Sequence, residues 1–309
     1  MLFRSFTGAY VETDGQKRAW VTMHGQRLRT ELAGQGALLP LWPDSSGRWS
    51  FGESAAGVSV SFDKIDAGHA SGMTLWHNET QLLHYLRVPP ASDLPTVDRL
   101  MSLRREKQGG DRTDELHGLE MNGKLQVGAA RLDTTLIAAA PDRVIRRIKS
   151  QAGVVTTVVD GRSARKFSPG EPVEELAGLW LDEARRINPF ARLRDWRETA
   201  TAVRVVGKDK LGSEDVWIVR VESEFEPPQT RYVSAKSGLL LKEEGWITAK
   251  GLGTFPRSVV CADYREVAGV QLPFRLTTES AVTDTQVMQF AEVRPNPVID
   301  AATFSSPKE

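Results

Sequence analysis

From Phe6 to Val88 apolar and polar positions alternate in short runs separated by clusters of Gly, Asp, Asn and Ser. The runs are "TGAYVET", "RAWVTMHG", "RLRTELAG", "ALLPLW", "RWSFG", "GVSVSFDK", "SGMTLWH" and "QLLHYLRV". Alternation with a period of two marks strands with one apolar face, and eight short strands in succession predict a small closed antiparallel barrel. "PPASDLP" at 89–95 then breaks every period with three prolines. It predicts a boundary between a barrel domain over 1–90 and a second domain over 91–309.

The second domain opens with helical spacing. Val97, Leu100, Met101 and Leu103 recur behind Pro95, and Gly109-Gly110 stops the pattern. Residues 115–167 read as a meander of four or five strands, with Asn122-Gly123 and Asp160-Gly161 as turns. "EPVEELAGLWLDEARRINP" places Val173, Leu176, Leu179, Trp180, Ala184 and Ile187 at i, i+3, i+4 spacing. With acids first, Arg185-Arg186 late and Pro189 as the stop, it predicts one long amphipathic helix. Seven more strand runs follow, from "TAVRVVGKDKL" to "TQVMQFAEV", joined by connections of hairpin size. The fold class expected is mainly β: a small eight-stranded barrel, then an α+β domain built on a large antiparallel sheet.

Bulky apolar residues stand on the later strands, among them Trp217, Trp246, Phe274 and Phe290. One reading is a core filled by its own side chains. The other is a curved, unclosed sheet around an apolar hollow, lined by these four residues and covered by Leu176, Leu179, Trp180 and Ile187 of the predicted helix.

Charge adds little at the scale of the chain, where 40 basic and 40 acidic residues cancel and no field favours nucleic acid. Locally, residues 143–197 carry twelve Arg and Lys against seven Asp and Glu. Arg185 and Arg186 are the candidates there for an anionic headgroup at the mouth of the hollow. Cys261 is the only cysteine, which excludes an intrachain disulfide and a cysteine-based metal site. No apolar run reaches membrane-spanning length, and "MLFRSFTGAY" lacks the apolar core of a signal peptide. Because Tyr10 already lies in strand-like alternation, the start reads as cut into a longer protein.

No catalytic constellation is visible. The five histidines, at 24, 69, 77, 84 and 117, have no acidic or cysteine partner at metal-ligand spacing, although His77 and His84 flank a hairpin and are expected to face each other. "SFDK" fits the S-x-x-K of serine penicillin-recognising enzymes, but Ser61 follows strand alternation, where positions i and i+3 point to opposite faces. "KSG" at 236–238 reads as a tight turn. No catalytic residue, metal or cofactor is assigned.

Four blocks together resemble the outer-membrane lipoprotein-sorting (LolA-like) family: "TAVRVVGKDKLGSEDVWIVRV", "TRYVSAKSGLLLKEE", "DYREVAGVQLPFRL" and "FAEVRPNPVIDAATFSSP". "LPTVDRLM" and "VVDGR" agree with that family's opening helix and first hairpins, so the resemblance spans about 93–309. It implies an unclosed antiparallel barrel with helices on its concave face, holding a lipid or lipoprotein acyl chain outside the cytoplasm. It makes Tyr264 and Arg265 parts of a structural hairpin. The sequence departs from the family at Ala164 and Arg165, where relatives often carry an aromatic. Residues 6–88 instead resemble a small barrel found behind β-lactamase-like serine hydrolases, through "FTGAYVET", "LRTELAGQGALLPLWP" and "VSVSFDK". The function expected is non-enzymatic binding of an elongated apolar ligand by a monomer, with an envelope protein as a further partner and no nucleic acid. The alternative is an inert accessory region of a truncated serine hydrolase or peptidase.

Overall fold

A computed structural model describes residues 2–14, 18–24, 27–32, 38–52, 57–89, 93–161, 163–223, 228–249, 253–280 and 282–304. The chain divides into two compact units, the first over Met1–Ser92 with Thr254–Pro256 and the second over Asp93–Gly253 and Arg257–Glu309.

The strands of the first unit are β1 (Gly8–Glu12), β2 (Arg18–His24), β3 (Arg27–Leu32), β4 (Leu38–Pro43), β5 (Trp49–Ser50), β6 (Val58–Phe62), β7 (Ile65–Asp66), β8 (His69–Ala70), β9 (Gly72–His77) and β10 (Thr80–Arg87). Eight of them, one from each alternating run, close an antiparallel barrel in the order β1-β10-β9-β6-β5-β4-β3-β2, while β7 and β8 form a separate small hairpin. In β3 the residues Leu28, Thr30 and Leu32 are buried and those between them less so, the alternation that puts one face inside. Tyr10, Leu28, Trp49, Val60, Met73 and Tyr85 fill the interior, and the Tyr10 hydroxyl donates to the Phe6 carbonyl at 2.7 Å.

The second unit begins with α1 (Val97–Gln108), whose N-cap Thr96 accepts from the Arg99 amide, and α2 (Arg112–Glu115). A first meander follows: β11 (Gly118–Val127), β12 (Ala130–Ala139), β13 (Arg143–Ser150), β14 (Gly153–Asp160), β15 (Ser163–Phe167) and β16 (Glu174–Leu176). After α3 (Leu179–Arg185) and α4 (Phe190–Leu193) comes a second: β17 (Ala202–Leu211), β18 (Glu214–Glu222), β19 (Gln229–Ser234), β20 (Leu240–Ala249), β21 (Gly253–Val267), β22 (Val270–Ser280) and β23 (Thr283–Pro295). The thirteen strands form one unclosed sheet, ordered β16-β15-β14-β13-β12-β11-β23-β22-β21-β20-β19-β18-β17.

Two expectations are corrected. Asn122-Gly123 is not a turn; it lies inside β11, at a register shift against β23. A Cβ on Gly123 would fall against the Gln289 carbonyl oxygen and 2.8 Å from the Phe290 Cα, so the glycine allows the close approach of a bulge. The helix expected over 171–189 is shorter. Glu174–Leu176 is a strand paired with β15, and Gly178, at φ 55°, occupies a left-handed conformation that no α-helix passes through.

The sheet's two ends are β16 and β17. The chain between them carries α3, α4 and a 3₁₀ turn at Trp196–Glu198, so the helical insertion joins the two open edges. α3 packs against β14, β15 and β16 of one meander and against β20 of the other. Val144, Val159 and Ala138 bury toward this insertion, while their neighbours Ile145, Val158 and Ala139 bury on the outer face around Phe304. At the family departure, Ala164 packs inward, and Arg165 donates to the Phe304 carbonyl.

Candidate ligand-binding site

The inner face carries an apolar cluster over each meander. Met121, Leu136, Leu272 and Phe290 meet Ala184 of α3 and Phe190 and Leu193 of α4 in one cluster. Leu100 and Met101 of α1 join Trp196, Val219, Leu240 and Cys261 in another. Where the two adjoin, a gap of about 30 Å³ remains, lined by Leu136, Ile187, Leu193, Leu240, Leu276 and Phe290 among others. It holds about one water molecule. The hollow expected from the sequence is therefore filled by the helical insertion.

The expected lining residues are distributed unevenly. Ile187 and Phe290 line the gap. Phe274 and Leu176 belong to the surrounding cluster, and Trp217 packs half-buried on the second cluster. Trp246 is buried, and its carbonyl accepts from Arg186 at 2.9 Å. Leu179 opens α3, and its side chain is outside the described residues. Trp180, in the first turn of α3, is 36% exposed and does not line the gap.

Beside the gap, a cleft of about 510 Å³ is lined by Arg185, Arg186, Arg192, Arg194, Arg231 and Glu243, with Gln229 and the exposed Asp142 and Glu198 also at its wall. Arg192 lines both the cleft and the apolar gap. Glu243 is 5% exposed. Arg257 Nη2 approaches its carboxylate at 3.3 Å, Arg231 Nε at 3.7 Å and Arg192 Nη2 at 3.8 Å. Burial alone would raise the Glu243 pKa; Arg192, Arg231, Arg257 and Arg186 hold it instead at about 2. Arg231 also stacks on Trp196 at 4.3 Å, with Arg104 over the same ring at 3.7 Å. Burial, then Arg231, lowers the Arg104 pKa, and the guanidinium donates to the Arg192 carbonyl at 3.0 Å. Arg185 is anchored on the Gly161 carbonyl at 3.2 Å, and Arg194 donates to the carbonyl of Pro141. The sequence marked Arg185 and Arg186 as basic, but Arg231, Glu243 and Arg257 lie on β19, β20 and β21 and carried no signal of their own.

The hairpin at 261–276 is structural. Its two-residue turn is Ala268-Gly269, Tyr264 donates to the Leu240 carbonyl at 2.5 Å, and Arg265 pairs with Asp263 at 2.7 Å while covering Phe274. Burial pushes the Cys261 thiol up to about 11, leaving it without thiolate character at neutral pH.

In the barrel, His77 pairs across from Thr80 and His84 from Thr74, so the two histidines do not face each other. His84 Nε2 instead lies 3.0 Å from Asp63, and its Nδ1 3.3 Å from Thr13 Oγ1, a chain the sequence reading missed. The Thr13 hydroxyl also lies 2.9 Å from the His84 carbonyl, the nearer of its two possible acceptors. Ser61 of "SFDK" lies in β6 and accepts from Trp76 Nε1 at 2.9 Å. Among the described residues, no group of three or more His, Cys, Asp or Glu could hold a metal, and no helix is long and apolar enough to cross a membrane.

No protein-family model matches the sequence, and no curated protein matches it. Solved structures do. The LolA superfamily protein NE2245 from Nitrosomonas europaea is 11% identical, covering 69% of this chain and 99% of its own, with a TM-score of 0.49. A DUF1329 family protein from Desulfovibrio piger is also 11% identical, covering 67% and 96%, with a TM-score of 0.47. A putative outer membrane lipoprotein-sorting protein domain from Vibrio parahaemolyticus is 9% identical, covering 67% and 97%, with a TM-score of 0.51. The likeness noted for residues 6–88 stays a resemblance of sequence. By its unclosed antiparallel sheet and its likeness to the Vibrio domain, the second unit shares the fold of that lipoprotein-sorting protein domain.

Proposed function

We propose that the second unit is a non-enzymatic binder of an elongated apolar ligand, a lipid or lipoprotein acyl chain, working as a monomer in the bacterial envelope outside the cytoplasm. The observation that carries this reading is the helical insertion between the sheet's two open edges, whose apolar side chains occupy the place of a ligand. Burial contributes about 0.8 kcal/mol per CH₂, so a chain of about sixteen carbons offers on the order of 10 kcal/mol. Displacing Leu181, Ala184, Ile187, Phe190 and Leu193 costs a similar amount, at roughly 1.5–3 kcal/mol for each of the larger side chains. Near balance of this kind suits a carrier, because loading and release both remain accessible. The folds of the Nitrosomonas and Vibrio proteins, one named for the LolA superfamily and the other for lipoprotein sorting, agree with the reading.

Ile187 is the residue to change. Truncation to Ala weakens the insertion's hold by about 2–4 kcal/mol without touching the sheet. Ile187→Ala is expected to raise uptake of a fluorescent fatty acid at least about tenfold, and native mass spectrometry of the wild-type protein is expected to find co-purifying lipid. A wild-type protein free of lipid, together with an Ile187→Ala variant that loses stability and takes up no fatty acid, would identify the inner face as a filled core.

A further inference from the structure

The arginine cleft suits a chemistry that an acyl chain does not need. Three guanidinium groups share the one carboxylate of Glu243, at 3.3 to 3.8 Å. Charge-assisted contacts close to about 2.7–2.9 Å when a carboxylate is matched to its donor. The Nε groups of Arg192 and Arg257 have no hydrogen-bond partner among the described residues. Both side chains are largely buried, at 12% and 14% exposure, so water recovers little of their lost hydration. The carboxylates of Asp142 and Glu198 stand exposed and hydrated at the wall, while buried Glu243 and half-buried Glu183 of α3, which acts on Arg257, face these arginines from within.

We infer that the cleft binds a phosphate group. The guanidinium forks of Arg192 from α4 and Arg231 from β19 meet at the cleft, with Arg186 also at its wall, and match a tetrahedral anion with several acceptor oxygens better than one planar carboxylate does. The volume of about 510 Å³ admits such a group with its ester substituent. Arg192 bounds the apolar gap as well, which places the anion site next to the position of the chain. The ligand class is therefore an anionic amphiphile with its phosphate among the arginines and its tail under the insertion. The tail rests on the acyl-chain reading above; the phosphate site does not.

The test compares three ligands at constant ionic strength: inorganic phosphate, lysophosphatidic acid, and the monoacylglycerol with the same chain. Inorganic phosphate is expected to raise the melting temperature where equal ionic strength of chloride does not. Lysophosphatidic acid is expected to bind at least about tenfold more tightly than the monoacylglycerol. Arg192→Gln is expected to abolish that preference for lysophosphatidic acid over the monoacylglycerol. Glu243→Gln frees the cleft of its internal competitor and enlarges the phosphate response. The paired change R192Q/E243Q keeps the charge balance and tests the same loss where R192Q alone does not fold. Phosphate stabilisation with equal binding of the two lipids makes this a free-phosphate site and overturns the amphiphile. Phosphate stabilisation with neither lipid bound overturns the acyl-chain reading and leaves the anion site standing. No response to phosphate in the wild type or in Glu243→Gln overturns the anion site.

Discussion

Glu243 keeps its charge at 5% exposure because guanidinium groups stand around it. Its folded-state pKa of about 2 lies below the ordinary 4.5. A depressed pKa contributes stability that is complete above the unfolded value and is lost as pH falls through the folded one. The contribution here is on the order of 3 kcal/mol. Urea unfolding is expected to show stability falling by about that amount between about pH 5 and pH 2, and Glu243→Gln is expected to lack that part of the decline. An acid profile unchanged in Glu243→Gln would assign the sensitivity to other carboxylates. Little of this was readable from "LLLKEEGWI", where Glu243 and Glu244 are adjacent and only pairing register decides which points inward. The register shift between Tyr232 and Val233 makes that decision, and it depends on a partner strand. Apolar residues on evenly paired strands, such as Leu28 and Leu32 of β3, were easier to place because alternation alone gives their face.

At the scale of elements, the barrel strands and the place of the helical insertion were legible, and where its helix begins was not. Each run in the first eighty or so residues became a barrel strand because period-two alternation and a turn after every run give the same answer. Over 171–189 the apolar spacing was helical, yet three residues joined β15 as a strand and Gly178 delayed the helix to Leu179. An edge offering unpaired backbone groups outweighs a weak local preference. The remaining α3 has seven residues, too few to be stable without tertiary contacts. Its amides are therefore expected to exchange at least about tenfold faster than those of β11 to β13, with hydrogen exchange read by mass spectrometry on the whole chain. Added lysophosphatidic acid should change protection in α3 and α4 and leave β13 unaltered. Uniform protection across α3 and the central strands would mean that the insertion opens only with the whole sheet, contrary to its role as a displaceable cover.

At the scale of the larger unit, every neighbouring pair in the sheet follows consecutively along the chain except one, β11 with β23. That pair joins residues such as Met121 and Val293 and is the seam between the two meanders. Local hairpins close cheaply, whereas a seam across so long a loop must lose the loop's freedom before its contacts form. The rate-limiting step of folding is therefore expected to be the docking of the meanders along β11 and β23. The bulge at Gly123 sits in this seam, where an added methyl meets the Gln289 and Phe290 backbone. Gly123→Ala is expected to cost about 2–3 kcal/mol and to express much of that cost as slower refolding. Val158→Ala, in β14 away from the seam, is expected to act mainly by faster unfolding. Stopped-flow chevrons of the two variants separate these outcomes. Refolding unaffected by Gly123→Ala, with all of its cost on the unfolding limb, would place the seam after the barrier and give the hairpins the rate-limiting role. The Asn-Gly pair that read as a local turn would then still be a long-range contact, but one formed after the barrier, once the hairpins of each meander were in place.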